Sequence, residues 1–140
     1  MIVEVNNASS FITRLLPATV TTEKRALFQA ALRDLMLRKF HNHWNPQLPS
    51  RGSAYRSIQT YHGTIDALLL HAAAVAGIQN ISKSMPLEFT LWIDPFNVSC
   101  RFGDRGAVSV VYEDDRTESN ENVVSVTGKD TGNNRVLAMG

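Results

Sequence analysis

The sequence predicts an α+β domain in which N-terminal helices pack on a small antiparallel β-sheet. In the first half of the chain, apolar residues recur at three- and four-residue spacing; in the second half, short segments are rich in β-branched and aromatic residues. Helices followed by an antiparallel meander are typical of the α+β class. With 140 residues, 44% of them hydrophobic, the chain is long enough for one domain with a substantial core.

Two amphipathic helices are expected first. The first has apolar residues at helical spacing, Val5 and Ile12 among them, and ends before Pro17, which cannot continue it. The second follows a hydroxyl cap at Thr21 or Thr22, and charged residues avoid its apolar stripe. The stripe consists of Leu27, Phe28, Ala31, Leu32, Leu35, Met36 and Phe40.

A third helix is expected from about Ile65 to Ala76. Thr64 is its expected cap, and Gly77 is its expected stop because glycine readily adopts the left-handed conformation that ends helices. The small residues of this segment would let the helix pack closely against a neighbour. The residues expected to face the core are Leu68, Leu69, Ala72, Ala73 and Ala76.

Four short strands are expected around and after this helix. Tyr55–Thr60 precedes it, and Glu88–Asp94, Val98–Phe102 and Ala107–Tyr112 follow it. The residues Gly103–Gly106 have the composition of a hairpin turn between the last two strands.

The segment Leu91–Asp94 suggests which face of the sheet is functional. Successive side chains of a strand point to opposite faces, so Leu91 and Ile93 share one face, and Trp92 and Asp94 share the other. If the aliphatic face packs on the core, Trp92 and Asp94 stand on a face open to solvent.

Composition argues against several classes of protein. The 14 basic and 13 acidic residues nearly cancel, which disfavours a general nucleic-acid or membrane-surface binder. The single cysteine, Cys100, allows neither an internal disulfide nor a cysteine-rich zinc site. No apolar run approaches the roughly 18 residues of a membrane span, and no signal-peptide pattern opens the chain. We therefore expect a soluble intracellular protein.

The chain is expected to divide into a domain over residues 1–115 and a polar, flexible tail over 116–140. The tail is rich in Asn, Thr, Gly and Ser, and such a segment buries too little surface to offset its ordering entropy. Only the short apolar patch Val123–Val126 interrupts it.

Neither a metal site nor a catalytic site is expected. His41 and His43 stand two apart after the second helix, His62 and His71 come from other elements, and no sequence pattern gives them a shared acidic ligand. Cys100 reads as an inert packing residue, and neither a nucleophile elbow nor a glycine-rich phosphate loop is present. The chain is therefore predicted to be no enzyme and to need no cofactor.

What remains is a set of aromatic residues typical of an interaction module. Trp44 follows the second helix and is expected to close the end of the core. Tyr55, Trp92 and Asp94 are expected at an exposed rim, and tryptophan and tyrosine are enriched among interface hot spots.

Two long blocks also make the sequence resemble the BTG/Tob antiproliferative family over about Val3 to Glu113. The first block is His43-Trp44-x-Pro46 followed by Pro49-x-Arg51-Gly52-Ser53-x-Tyr55-Arg56-x-Ile58 and Asp66. The second is Pro86-x-x-Phe89-Thr90-Leu91-Trp92-Ile93-Asp94-Pro95-Phe96-x-Val98-Ser99, and it continues through Arg101, Gly103, Val110 and Tyr112. His43, Trp44, Pro46, Gly52 and Asp66 are the structural positions of this motif.

The resemblance implies a non-enzymatic adaptor that binds the Caf-type deadenylase subunit of the CCR–NOT complex and promotes mRNA deadenylation and repression. It assigns deadenylase contacts to Tyr55, Trp92 and Asp94, with Pro95 fixing the adjacent turn and Phe96 extending the apolar patch. Poly(A)-binding protein or another RNA-binding protein is a further candidate partner, and a cytoplasmic and nuclear location is expected. Direct sequence-specific nucleic-acid binding is not expected.

Two departures from the family pattern stand out, and one alternative function stays open. Asn97 replaces the usual glutamate beside the expected interface, and Ala67 replaces the usual proline at the start of the third helix. The alternative is a self-assembling structural or RNA-regulatory scaffold of the same family, since an exposed sheet edge and an apolar rim could support self-association.

Overall fold

The computed structural model describes residues 1–114. The expected boundary at 115, the tail over 116–140 and the patch Val123–Val126 lie outside the described residues, so the division of the chain stays a prediction. The helices and strands are α1 (Ile2–Arg14), α2 (Thr22–Phe40), β1 (Ser57–Tyr61), β2 (Thr64–Ile65), α3 (Ala67–Ala76), α4 (Ile81–Ser84), β3 (Glu88–Asp94), β4 (Asn97–Phe102) and β5 (Ser109–Glu113). None of these helices is long and apolar enough to cross a membrane.

The predicted α+β architecture is confirmed. The strands form a five-stranded antiparallel sheet in the order β2-β1-β3-β4-β5. Helix α1 packs against β3, β4 and β5, while α2 packs on both α1 and α3. The core therefore lies between one face of the sheet and the helices.

Helix α2 follows the predicted pattern with one exception. The Thr21 side chain caps it by accepting a hydrogen bond of 3.2 Å from the Lys24 amide. Phe28 and the residues at successive four-residue steps after it are buried, but Leu27 is 52% exposed, so its assignment to the core stripe is wrong. Leu27 lies about 100° around the helix from Phe28, on the edge of the buried stripe.

The expected start of α3 is also wrong. The helix begins at Ala67 with Asp66 as its cap, and the Asp66 carboxylate accepts from the Leu68 amide at 2.9 Å. The preceding residues, Thr64 and Ile65, instead form β2. At the other end Gly77, with a φ of 72°, stops the helix as predicted.

A tight hairpin explains this difference. Tyr61 pairs with Thr64, and the two residues between them, His62 and Gly63, have φ values of 46° and 84°. Positive φ at both loop positions is typical of a type I′ turn, whose twist matches that of paired strands. The chain reverses after Tyr61, so Thr64 and Ile65 pair with β1, and Asp66 is the residue that caps α3.

The strands of the second half agree closely with expectation. The bounds of β3 are those predicted, whereas β4 begins one residue earlier and β5 two residues later than expected. The strand expected over Tyr55–Thr60 is displaced to Ser57–Tyr61, and Tyr55 belongs to the turn before it.

The two faces of the sheet differ as the alternation of β3 predicts. Leu91 and Ile93 are fully buried against the helices, while Trp92 and Asp94 are partly exposed on the opposite side. We call this second side the open face. From β1, β3 and β4 it carries Ser57, Gln59, Tyr61, Glu88, Thr90, Trp92, Asp94, Asn97, Ser99 and Arg101.

Candidate functional site

The second signature block ends in a tight turn between β3 and β4. Asp94 pairs with Asn97, so Pro95 and Phe96 are the two loop residues, and Phe96 has a φ of 71°. Proline at the first turn position with positive φ at the second is typical of a type II turn, which normally has glycine at the second position. Phenylalanine there is strained, and such a conformation persists only where its surroundings hold it.

Both peptide groups of Phe96 are held. Its amide donates to Glu4 Oε2 of α1 at 2.9 Å, and its carbonyl oxygen accepts from the Asp114 amide at 2.9 Å. Glu4 is buried, so its bond to the turn is shielded from water. No local pattern indicates that Glu4 positions this turn, because Glu4 and Phe96 are 92 positions apart.

The first signature block is organised by Arg56, whose side chain is fully buried. Its guanidinium donates five hydrogen bonds, and its central carbon lies 5.3 Å from the centre of the Trp44 ring. The acceptors are the main-chain oxygens of Ile93, His43, Arg51 and Pro49 and the Asp94 carboxylate, at 2.7–2.9 Å. Arg56 thus connects the two signature blocks, a role that the sequence reading missed since four of its acceptors are main-chain atoms.

The Asp94 carboxylate is less exposed to solvent than the sequence suggested. Its Oδ1 lies 2.8 Å from the Arg56 guanidinium and its Oδ2 accepts from the Ser53 hydroxyl at 3.0 Å, leaving the side chain 19% exposed. The expectation that this carboxylate stands in open solvent is therefore wrong. Arg56 and Ser53 approach it from a loop about 40 residues earlier in the chain, beyond the reach of a strand pattern.

Gly52 makes room for the Arg56 guanidinium. Its φ is 78°, a conformation that side-chain-bearing residues rarely adopt, and a Cβ added there would lie 3.1 Å from Arg56 Nη1. Both properties explain why glycine occupies this structural position.

Tyr55 is an exposed residue of the first block. Its side chain is 47% exposed, its ring lies 4.3 Å from the His43 ring, and Lys39 Nζ lies 4.9 Å from the ring centre. Two residues later, Ser57 pairs with Trp92 in the sheet. Tyr55 and Trp92 therefore belong to the same end of the β1–β3 pair.

Trp92 lies between two short side chains on the open face. Its cross-strand neighbours are Ser57 on β1 and Ser99 on β4, which leave the indole partly exposed. The Arg101 guanidinium lies over the ring, 5.6 Å from its centre. The exposure predicted for Trp92 is thus partial rather than complete.

The remaining structural positions support these residues. Trp44 is partly buried against the core, as predicted, and Pro46 lies in the exposed turn that follows. Asp66 caps α3 and also accepts from the Gln59 amide at 3.4 Å, which links α3 to β1.

The two departures from the family pattern lie at different kinds of position. Asn97 stands between Asp94 and Glu113 in the sheet register, where a glutamate would face like charges that disfavour strand pairing. Ala67 is the first residue of α3, a position that proline favours but does not need.

The described residues offer little else for chemistry. Within residues 1–114, no three His, Cys, Asp or Glu side chains come together in a way that could hold a metal ion. Burial raises the pKa of the Cys100 thiol, which is 2% exposed. A protonated, inaccessible thiol is a poor nucleophile, consistent with a packing role.

Comparison with known proteins agrees with both the fold and the motifs. The model of the BTG family matches residues 1–112. Human BTG1 is 38% identical over 117 residues, which cover 81% of this chain and 68% of that protein. Rat BTG2 is 35% identical over 118 residues, covering 81% and 74%, and human Tob2 is 33% identical over 117 residues, covering 82% and 34%.

The fold is also found in a solved structure. The BTG/Tob domain of FOG-3 from C. elegans superposes with a TM-score of 0.73 at 21% identity, covering 89% of this chain and 95% of that chain. The likeness to FOG-3 establishes the shared architecture, while the family match and the BTG1 and BTG2 identities establish kinship. The chain belongs to the BTG/Tob antiproliferative family.

Proposed function

We propose that this chain is a non-enzymatic adaptor that binds the Caf-type catalytic deadenylase subunit of the CCR–NOT complex. Through that contact it would promote shortening of mRNA poly(A) tails and so restrain proliferation. An RNA-binding protein, poly(A)-binding protein being one candidate, would supply the message, and the adaptor would act in both cytoplasm and nucleus.

The observation that carries this proposal is the joining of the two signature blocks at one end of the sheet. Arg56 bonds to Ile93 and Asp94 on β3, and the exposed Tyr55 directly precedes Arg56 in the chain. The proposal takes the exposed phenol and the partly exposed indole as the anchors of the contact, since such residues contribute disproportionately to protein binding.

Asp94 has two parts in this proposal. Its bonds to Arg56 and Ser53 fix the turn, and its remaining 19% exposure leaves carboxylate surface for a partner donor. Of the two turn residues, Pro95 is buried, while Phe96 is half-buried and extends the apolar surface. The partner would provide the nuclease chemistry.

The decisive experiment is an affinity measurement with the purified deadenylase subunit. We expect Trp92→Ala and Tyr55→Ala each to weaken binding about 30-fold or more, since truncating a hot-spot residue costs about 2 kcal/mol or more. Leu70→Ala is the control, because Leu70 is 50% exposed on α3 and is not among the proposed contact residues. Wild-type affinity in both aromatic variants would contradict the proposal.

A self-assembling scaffold is the second candidate, and one feature of α3 favours it. His71 is the only polar residue of this helix, and Leu70 and Val75 are 50% and 55% exposed. Exposed apolar surface of this kind can mark a protein contact. Light scattering over a range of concentrations separates the candidates, because an adaptor stays small whereas a scaffold grows with concentration.

A further inference from the structure

Arg101 is a cation on the open face that has neither a hydrogen-bond acceptor nor an ion-pair partner among residues 1–114. Its Nε is buried without a hydrogen-bond partner, and none of the hydrogen bonds or ion pairs among residues 1–114 uses its guanidinium. The contact that it does make is with the Trp92 ring. Burial removes Nε from water, and no acceptor within residues 1–114 takes the place of that water.

Arg101 also lines a groove on the open face. The groove has a volume of about 260 Å³ and lies beside the ends of β1, β3 and β4. Gln59, Tyr61 and Thr90 also line it, and Arg101 connects it to the Trp92 ring, whose centre lies 5.6 Å from the guanidinium. The groove is therefore continuous with the surface on which the proposed adaptor contact rests.

Two acidic residues at the groove limit what it can accept. Glu88 lies 3.3 Å from the His62 ring nitrogen, and Asp104 is exposed in the hairpin between β4 and β5. Together they would repel an extended polyanion such as RNA. A single carboxylate placed at the partly buried Arg101 would meet the cation at close range, while the exposed Asp104 is screened by water.

We propose that Arg101 and this groove form a second contact for the protein that docks at Trp92, and that they receive an acidic side chain of that protein. The inference rests on the proposed function. An aspartate or glutamate would accept from Nη1 and Nη2 of the planar guanidinium, because the buried Nε is out of a partner's reach. The Trp92 ring would form one wall of the contact and reduce its exposure to water.

The test measures the affinity of the full chain for the Caf-type deadenylase subunit at low and high salt. Arg101→Met keeps an apolar side chain over Trp92 but removes the charge, and Arg101→Lys restores the charge without the planar fork. We expect about tenfold weaker binding for Arg101→Met at low salt and an intermediate affinity for Arg101→Lys. The loss should shrink at high salt, and Arg105→Met, an exposed arginine of the same hairpin, should bind like wild type.

A second readout separates binding from folding. Because Arg101 has no acceptor to lose, Arg101→Met should unfold at the wild-type temperature or above. If Arg101→Met lowered the unfolding temperature as well as the affinity, Arg101 would have a structural role and the inference would be overturned.

The remaining outcomes distinguish this inference from the proposal beneath it. If Trp92→Ala weakens binding but Arg101→Met does not, the Arg101 contact is wrong and the adaptor function stands. If the wild-type chain does not bind the deadenylase at all, both are wrong. If Arg101→Met loses binding to a poly(A) oligonucleotide but keeps its affinity for the deadenylase, Arg101 contacts phosphate rather than a carboxylate, and the inference is overturned.

Discussion

Two arginine–tryptophan pairs in this domain have nearly the same geometry and opposite surroundings. The Arg56 guanidinium lies 5.3 Å from the Trp44 ring centre, and that of Arg101 lies 5.6 Å from the Trp92 ring centre. Arg56 is fully buried and donates five hydrogen bonds, whereas Arg101 is partly exposed and has an Nε without any acceptor.

The difference shows that the ring contact by itself does not determine what an arginine does. Burial of a charge is costly unless acceptors replace its water, and Arg56 has a full set of them. Its role is to hold the loop before β1 against β3. Arg101 has the same kind of aromatic neighbour without those acceptors, and its charge is the one that we propose a partner uses.

The largest expected effect comes from removing the Arg56 charge. Arg56→Met leaves the Asp94 carboxylate without its cation and four carbonyl groups without a donor, so we expect a loss of about 3–5 kcal/mol in the free energy of unfolding. Urea unfolding measures it. Arg38→Met, at an exposed position of α2, is the control and should change stability by no more than about 0.5 kcal/mol. Similar values for the two variants would mean that the Arg56 network contributes little.

A smaller effect is expected from crowding Arg56 rather than removing it. Gly52→Ala should cost more than Gly63→Ala, because both glycines have positive φ but only the Cβ at Gly52 would meet Arg56, at 3.1 Å. The backbone term is about 1–2 kcal/mol at each site, and nothing lies within 4 Å of a Cβ at Gly63. Comparing the two by thermal or urea unfolding isolates the crowding. Identical costs would show that the guanidinium moves aside freely.

The smallest effect on stability is expected at Arg101. Arg101→Met removes a buried Nε that has no acceptor, so the free energy of unfolding should stay within about 0.5 kcal/mol of wild type or rise. The same urea titration applies. A loss above about 1 kcal/mol would show that Arg101 and Arg56 differ less than their hydrogen bonds indicate.

Much of the fold could be predicted because its signals are local. The alternation of β3 and the four-residue steps from Phe28 to Phe40 each reflect a single element facing one core, and both were confirmed. The start of α3 was mispredicted because two local signals competed. Thr64 can cap a helix, but the His62-Gly63 turn draws it into a strand, and Asp66 takes its place.

Only part of the site could be predicted from the sequence, for a related reason. The composition of the signature blocks identified Tyr55, Trp92 and Asp94 as candidates, but their surroundings depend on residues far along the chain. Arg56 lies 38 positions from Asp94, and Glu4 lies 92 positions from Phe96. No spacing rule relates such pairs, since their contacts form only when the helices and the loop close over the sheet.

By itself the sequence determined the order of three helices and four strands, the apolar face of the sheet and the family of the chain, because periodicity and motif composition are properties of neighbouring residues. Only the tertiary structure decided that Asp94 is ion-paired, that Phe96 is held in a strained turn and that Arg101 is left without an acceptor. Those outcomes depend on which distant groups replace the water lost on burial, and that exchange is settled by packing in three dimensions.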